Sequence, residues 1–232
     1  MTLTLTAAHS NRGPPVRDAV VVSRQGTAIG SHAALGAGGG ASHHGAASGG
    51  PSHSARFGQI RPERDKVRIL AIDPGPQKCG VVLYDTERRR VLEAWKARPV
   101  PELLDEITLR IKSAECDLVA CERVQSYGIS GSSLLYTAEV FGRVRERAIL
   151  GGCEFVWLTR RDVLLWLDLL GAPGNRDAAV RARMIEMHGG ERATAIGTKR
   201  TPGALYGVSS HAWQALGLAV AVAATMHPER SE

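Results

Sequence analysis

Val67-Arg68-Ile69-Leu70-Ala71-Ile72 is a short run rich in branched apolar residues, and Asp73-Pro74-Gly75 closes it. A run of that length stopped by a turn signal reads as a buried strand. Cys79 to Tyr84 reads as a second strand and Arg90 to Trp95 as a third, with the polar Asp85-Thr86-Glu87-Arg88-Arg89 turning the chain between them. The three form an antiparallel meander. Pro101 suits the first turn of a helix that carries Leu103, Leu104, Ile107 and Ile111 at helical spacing to Ser113. Asp117 to Cys121 is a fourth strand ending at Glu122. The loop Gly128 to Ser133 leads into a helix over Leu134 to Leu150, and Glu154 to Leu158 is a fifth strand.

Three helices complete the pattern. The first spans Thr159 to Leu169, where Thr159 and Asp162 have near capping-box spacing. The second starts at Asn175 or Asp177 and runs to His188. The last follows the loop Gly197 to Gly207, with Ser209 or Ser210 as its cap. The order βββ-α-β-α-β-α-α-α predicts an α/β fold, a five-stranded mixed sheet with helices on its faces.

Ahead of this block, residues 1–62 hold 11 of the 26 glycines and five of the eight histidines. Such runs bury too little apolar surface to offset the entropy of ordering, so a disordered tail is expected there and a single folded domain over 63–232. His43, His44 and His53 can bind metal, but histidines in a Gly/Ser tract are usually solvated. The net charge of +6 is uneven: Arg12, Arg17, Arg24, Arg56 and Arg61 against Asp18 place four of those units in the tail. The domain is nearly neutral, so overall basicity is not an argument for an anionic partner.

At 232 residues the chain is too short for a two-lobed kinase or ATPase, and no nucleotide cofactor is expected. Its longest apolar stretch, Ala212 to Met226, includes Gln214 and is shorter than the roughly 20 residues that cross a bilayer, so no membrane partner is expected. No basic segment precedes an apolar one at the N-terminus, and Cys79, Cys116, Cys121 and Cys153 lack CxxC spacing. Both point to a cytoplasmic protein with reduced, structural cysteines.

Two acids stand where buried strands stop. Asp73 ends the first strand and Glu122 the fourth. If those strands are parallel neighbours, the two ends lie about 4.8 Å apart, close enough to share one cation. Carboxylates so close repel unless a cation separates them, and hard oxygen donors suit Mg2+ or Mn2+. Asp before Pro-Gly is also an ordinary turn residue, so the pairing carries the inference and neither acid does so alone. His211 opens the last helix, apolar nearly all round, with Gln214 on the same face. By spacing alone, such a histidine is more often a hydrogen-bonded structural residue than a ligand. Lys199 and Arg200, set among glycines and threonines, suit a flexible loop that contacts phosphates. Arg160, Arg161 and Arg176 add cations near helix starts, where phosphate binding is favoured and where arginines are also commonly just solvated.

The motifs together resemble RuvC-type Holliday-junction resolvases, which have a ribonuclease-H-like fold. Ile69 to Gly75 with Gly80 to Asp85 resembles their opening hairpin, Asp117 to Glu122 their second motif, and Ser210 to Ala219 their last helix. The stretch Ile196 to Val208 is similar to small RuvC-like proteins of phages and prophages, and Asp177 matches a recurring acidic position there. The resemblance covers roughly 67–225. It implies a metal-dependent, structure-specific endonuclease that cleaves branched DNA, foremost Holliday junctions, by two-metal phosphodiester hydrolysis and as a homodimer. Asp73, Glu122 and His211 would be catalytic and hold Mg2+ or Mn2+, with Asp177 a further catalytic acid. The family usually places one or two acids on the last helix, whereas this chain has His211 and Gln214, and a neutral Gln supplies no charge. That departure motivates an alternative: a catalytically inactive protein of the same fold that binds branched DNA without cutting. The helix Leu134 to Leu150 either forms the dimer contact or packs on the sheet.

Overall fold

The computed structural model describes residues Val20–Val22, 66–125 and 131–226. Its strands are β1 (Val20–Val22), β2 (Arg68–Asp73), β3 (Lys78–Asp85), β4 (Arg90–Pro99), β5 (Leu118–Arg123) and β6 (Glu154–Thr159). Its helices are α1 (Val100–Lys112), α2 (Ser132–Leu150), α3 (Arg160–Trp166), α4 (Arg176–Met187), α5 (Arg192–Ile196) and α6 (Ala212–Met226). The sheet order is β1-β6-β5-β2-β3-β4. β2, β3 and β4 pair antiparallel, as the meander requires, and β5 lies parallel to both β2 and β6. The expected α/β architecture, a mixed sheet with helices on both faces, is present, and β1 makes it six strands where five were expected.

Burial on both faces explains why the strands read as continuous apolar runs and not as alternating ones. Successive side chains point to opposite sides of a strand. Ile69 and Ala71 of β2, Leu118 and Ala120 of β5, and Val156 and Leu158 of β6 enter one core with α3, α4 and α6. Leu70 and Ile72, Val119 and Cys121, and Phe155 enter the other with α1 and α2. Helix α6 is buried from Ala212 through Val222, which accounts for its all-round apolarity. Each fully buried Leu or Val there contributes roughly 1.5–3 kcal/mol. All four cysteines are free thiols. Among the described residues no helix is long and apolar enough to cross a membrane.

Three elements differ from expectation. Val20–Val22, inside the segment assigned to a disordered tail, forms a strand antiparallel to β6, with Val21 opposite Val156; the remainder of 1–65 lies outside the described residues. The expected run of three C-terminal helices also omits α5, whose five residues are too few to show a helical period. The last helix begins at Ala212, one residue after His211, and neither expected serine caps it through a hydroxyl. Its first turn is held by backbone carbonyls: Ser209 accepts from Ala212 at 3.0 Å and Ser210 from Trp213 at 3.3 Å.

Candidate active site

Parallel pairing of β2 with β5 brings the two strand-end acids together. Ile72 is in register with Cys121, so Asp73 and Glu122 follow as the next residues on adjacent strands. Glu122 is 8% exposed and Asp73 is mostly buried. Burial pushes the Asp73 carboxyl from its ordinary 3.8 up to about 7, helped by the charges of Glu122 and Asp177 and opposed by Arg160. Burial also raises Glu122, against the charge and hydrogen bond of Arg160. Desolvation disfavours a lone carboxylate and a second acid beside it compounds the effect, so this corner of the fold holds protons or a cation.

The cation at this corner is Arg160. It is the first residue of α3, immediately after β6, and the β5–β6 register sets Leu158 beside Glu122 and Thr159 beside Arg123. A complete capping box fixes that junction: Asp162 N donates to Thr159 Oγ1 at 3.2 Å, and Thr159 N donates to Asp162 Oδ2 at 2.8 Å. The guanidinium donates from Nη1 to Glu122 Oε2 at 3.2 Å and from Nη2 to Asp177 Oδ1. Asp177 sits in the first turn of α4, whose cap Asn175 accepts from the Asp177 amide at 2.9 Å. Asp177, expected only from the resemblance, thus joins the same charge cluster as Asp73 and Glu122.

His211 is placed near this corner by backbone. Gly80 of β3 pairs with Asp73, and a Cβ at Gly80 would lie 2.3 Å from the His211 carbonyl oxygen, so only glycine lets the start of α6 settle on the sheet there. The imidazole is exposed and lines a cavity of about 570 Å³ with Asp177, Arg181, Arg192, Trp213 and Gln214. Gln214 Oε1 is buried and has no hydrogen-bond partner. Among the described residues no three His, Cys, Asp or Glu side chains stand together as a ready metal-ligand group, so Asp73, Glu122 and His211 are not assembled as a trio. Two adjacent carboxylates with a third acid nearby, and one arginine among them, nevertheless fit a hard divalent cation in charge and donor type.

The remaining expected residues are dispersed. Lys199 and Arg200 are exposed at the tip of a tight turn, where Thr198 N donates to Thr201 O at 3.0 Å and Thr201 N to Thr198 Oγ1 at 3.2 Å. The loop is hydrogen-bonded where a flexible one was expected. Its base is anchored by buried Leu205 and by Val91 N donating to Ala204 O at 2.8 Å. Val91 pairs across to Tyr84 and on to Ile69, so the anchor lies four residues along β2 from Asp73, roughly 13 Å at strand spacing. Arg161 and Arg176 are exposed on α3 and α4. Sequence reasoning missed Arg192 as a cavity residue, and it missed Arg160 as counter-ion to the acids. The signal for the second was available, because a residue just past β6 must lie beside the end of β5 if the two strands are parallel neighbours.

No family model and no curated protein matches this chain. Among solved structures it is similar to Thermus thermophilus RuvC, with 19% identity and a TM-score of 0.44 over 68% of this chain and 94% of that one. It is similar also to T. thermophilus RuvC in complex with a Holliday junction substrate, with 17% identity and a TM-score of 0.46 over 71% and 96% of the two chains. The yeast mitochondrial Holliday junction resolvase matches at 11% identity and a TM-score of 0.33, over 52% of this chain and 62% of that one.

Proposed function

We propose that this protein is a divalent-cation-dependent endonuclease that cuts branched DNA, with four-way junctions its foremost substrate. The observation that carries the reading is the side-by-side placement of Asp73, mostly buried, and Glu122, buried, at the carboxyl ends of adjacent parallel strands in the fold that their motifs resemble. Functional groups collect at such strand ends because the backbone stops there and leaves a crevice. Mg2+ or Mn2+ held there supplies charge stabilisation to a phosphodiester under in-line attack and acidifies a water. Asp73 and Glu122 would hold the ion and orient the attacking oxygen. His211, exposed and lining the cavity, would serve as a further ligand or proton-transfer group. Asp177 adds negative charge beside the pair. Lys199 and Arg200, with Arg161 and Arg176, would hold phosphates away from the cut, which positions a duplex arm without reading its sequence.

Two equivalent strands in a junction call for two sites, and α2 offers a surface for pairing two copies. Thr137, Val140, Val144 and Ala148 face the sheet, while Leu135 is 66% exposed, Tyr136 58% and Leu150 76%. The binding-only alternative has its own support in the neutral Gln214 and in Arg160, which already neutralises Glu122. A four-way junction with Mg2+ separates the two readings. Wild type is expected to nick it, and Asp73→Asn to bind it uncut. Binding without nicking by wild type in both Mg2+ and Mn2+ would leave only the alternative.

A further inference from the structure

We propose that Arg160 is a resident cation of the carboxylate site, so that a divalent ion and the Arg160 guanidinium exclude one another on Glu122. The inference rests on the reading that Asp73 and Glu122 hold such an ion. Its own observation is the two-ended contact: one guanidinium nitrogen on Glu122 at 3.2 Å and another on Asp177. The planar fork of arginine satisfies two separated carboxylates at once, which a lysine cannot do as well. An ion entering at Glu122 meets a positive charge already hydrogen-bonded to one of its ligands. Accepting the ion therefore requires the guanidinium to leave, since two cations on one carboxylate repel.

The surroundings allow that exchange. The backbone at Arg160 is pinned by the Thr159–Asp162 capping box, so α3 need not shift when the side chain moves. The Arg160 side chain is 29% exposed and Asp177 67% exposed, which leaves the guanidinium a path to solvent on the Asp177 side. A guanidinium released there stands beside the acids with its donors unpaired, ready for a phosphate oxygen. The coupling must be reciprocal: an anion that draws Arg160 off Glu122 strengthens ion binding by the same factor that the ion strengthens anion binding.

Mn2+ titration of the full-length protein without DNA, followed by the electron paramagnetic resonance of free Mn2+, tests this exchange apart from any cutting activity. Arg160→Gln keeps hydrogen-bonding capacity and removes the charge, and it is expected to tighten Mn2+ binding by about tenfold, a coupling of about 1.4 kcal/mol. Arg160→Lys, which keeps the charge, is expected to stay near wild type. Equal or weaker Mn2+ binding in a folded Arg160→Gln overturns the exchange. If neither wild type nor Arg160→Gln binds Mn2+, the metal reading of the site fails with it. If wild type binds in a manner lost in Glu122→Gln while Arg160→Gln changes nothing, only the exchange fails. Should Arg160→Gln not fold, arginine side-chain NMR of wild type decides: Mg2+ is expected to release the restricted rotation of one guanidinium, and an unchanged signal overturns the proposal.

Discussion

Replacing Asp73 by Asn removes a charge that the fold carries at a cost. The Asp73 carboxyl is raised from 3.8 to about 7, chiefly by burial and then by Glu122. Below the unfolded value both states hold the proton and the shift has no effect on stability. Between the two values the folded state holds a proton that the unfolded chain has released, so stability falls as pH rises, and above about 7 the loss is complete. Raising the carboxyl from 3.8 to about 7 corresponds to at most about 4 kcal/mol, of which about 3 kcal/mol falls between pH 5 and pH 8. Urea unfolding of wild type and Asp73→Asn across that range reads the effect directly. The variant should gain on wild type by up to about 3 kcal/mol as pH rises from 5 to 8, because the asparagine has no charge to desolvate. Glu122 is raised as well, so both proteins keep some slope, and the difference between them is the informative quantity. A stability difference that stays constant over the range would refute the claim that a strained carboxylate sits at this strand end. Mg2+ should stabilise wild type at pH 8 by about 3 kcal/mol at 100 times its Kd, and Asp73→Asn by clearly less.

Gly80→Ala should displace the start of α6, because its methyl would meet the His211 carbonyl at 2.3 Å; a loss of junction nicking together with a lowered Tm is expected, and an unchanged Tm would contradict that close approach. Lys199→Ala combined with Arg200→Ala should leave the melting curve unchanged, since both side chains are exposed. The same pair should flatten the log–log salt dependence of junction binding by a slope of about one for each phosphate no longer neutralised. A chain of residues 63–232 should still nick a junction, with salt-sensitive affinity reduced and stability lowered by about 1–3 kcal/mol as the three-residue β1 pairing is removed. Truncated protein that folds but no longer cuts would assign the N-terminal segment a part in catalysis.

The hairpin of β2 and β3 was legible because burial on both faces writes an unbroken apolar run, and Asp-Pro-Gly punctuates it. The same logic placed Asp73 and Glu122, since an acid directly after such a run has nowhere to sit but the strand end. β1 was not legible: three valines carry no periodicity, and their partner Phe155–Trp157 lies more than a hundred residues on, where only tertiary pairing can select them. For His211 the position along the chain was legible and the direction of the side chain was not. Spacing fixes which turn a residue occupies, but the approach of the His211 carbonyl to Gly80 and the exposure of the imidazole are set by tertiary packing.

Arg160 shows where reading of this kind stops and why. An arginine at a helix start is solvated by default, so its type and position argue for a phosphate contact and nothing more specific. Its role is decided by the partner's environment: Glu122 is 8% exposed, and a buried carboxylate draws in the nearest cation far more strongly than an exposed one does. The strand order puts that cation one residue past β6, at the end of the strand beside Glu122. One arginine then serves three acids: it hydrogen-bonds Glu122 and Asp177, and its charge opposes the burial that raises Asp73. That imbalance is local to one strand end of a nearly neutral domain, so the whole chain's charge of +6 could neither predict nor oppose it.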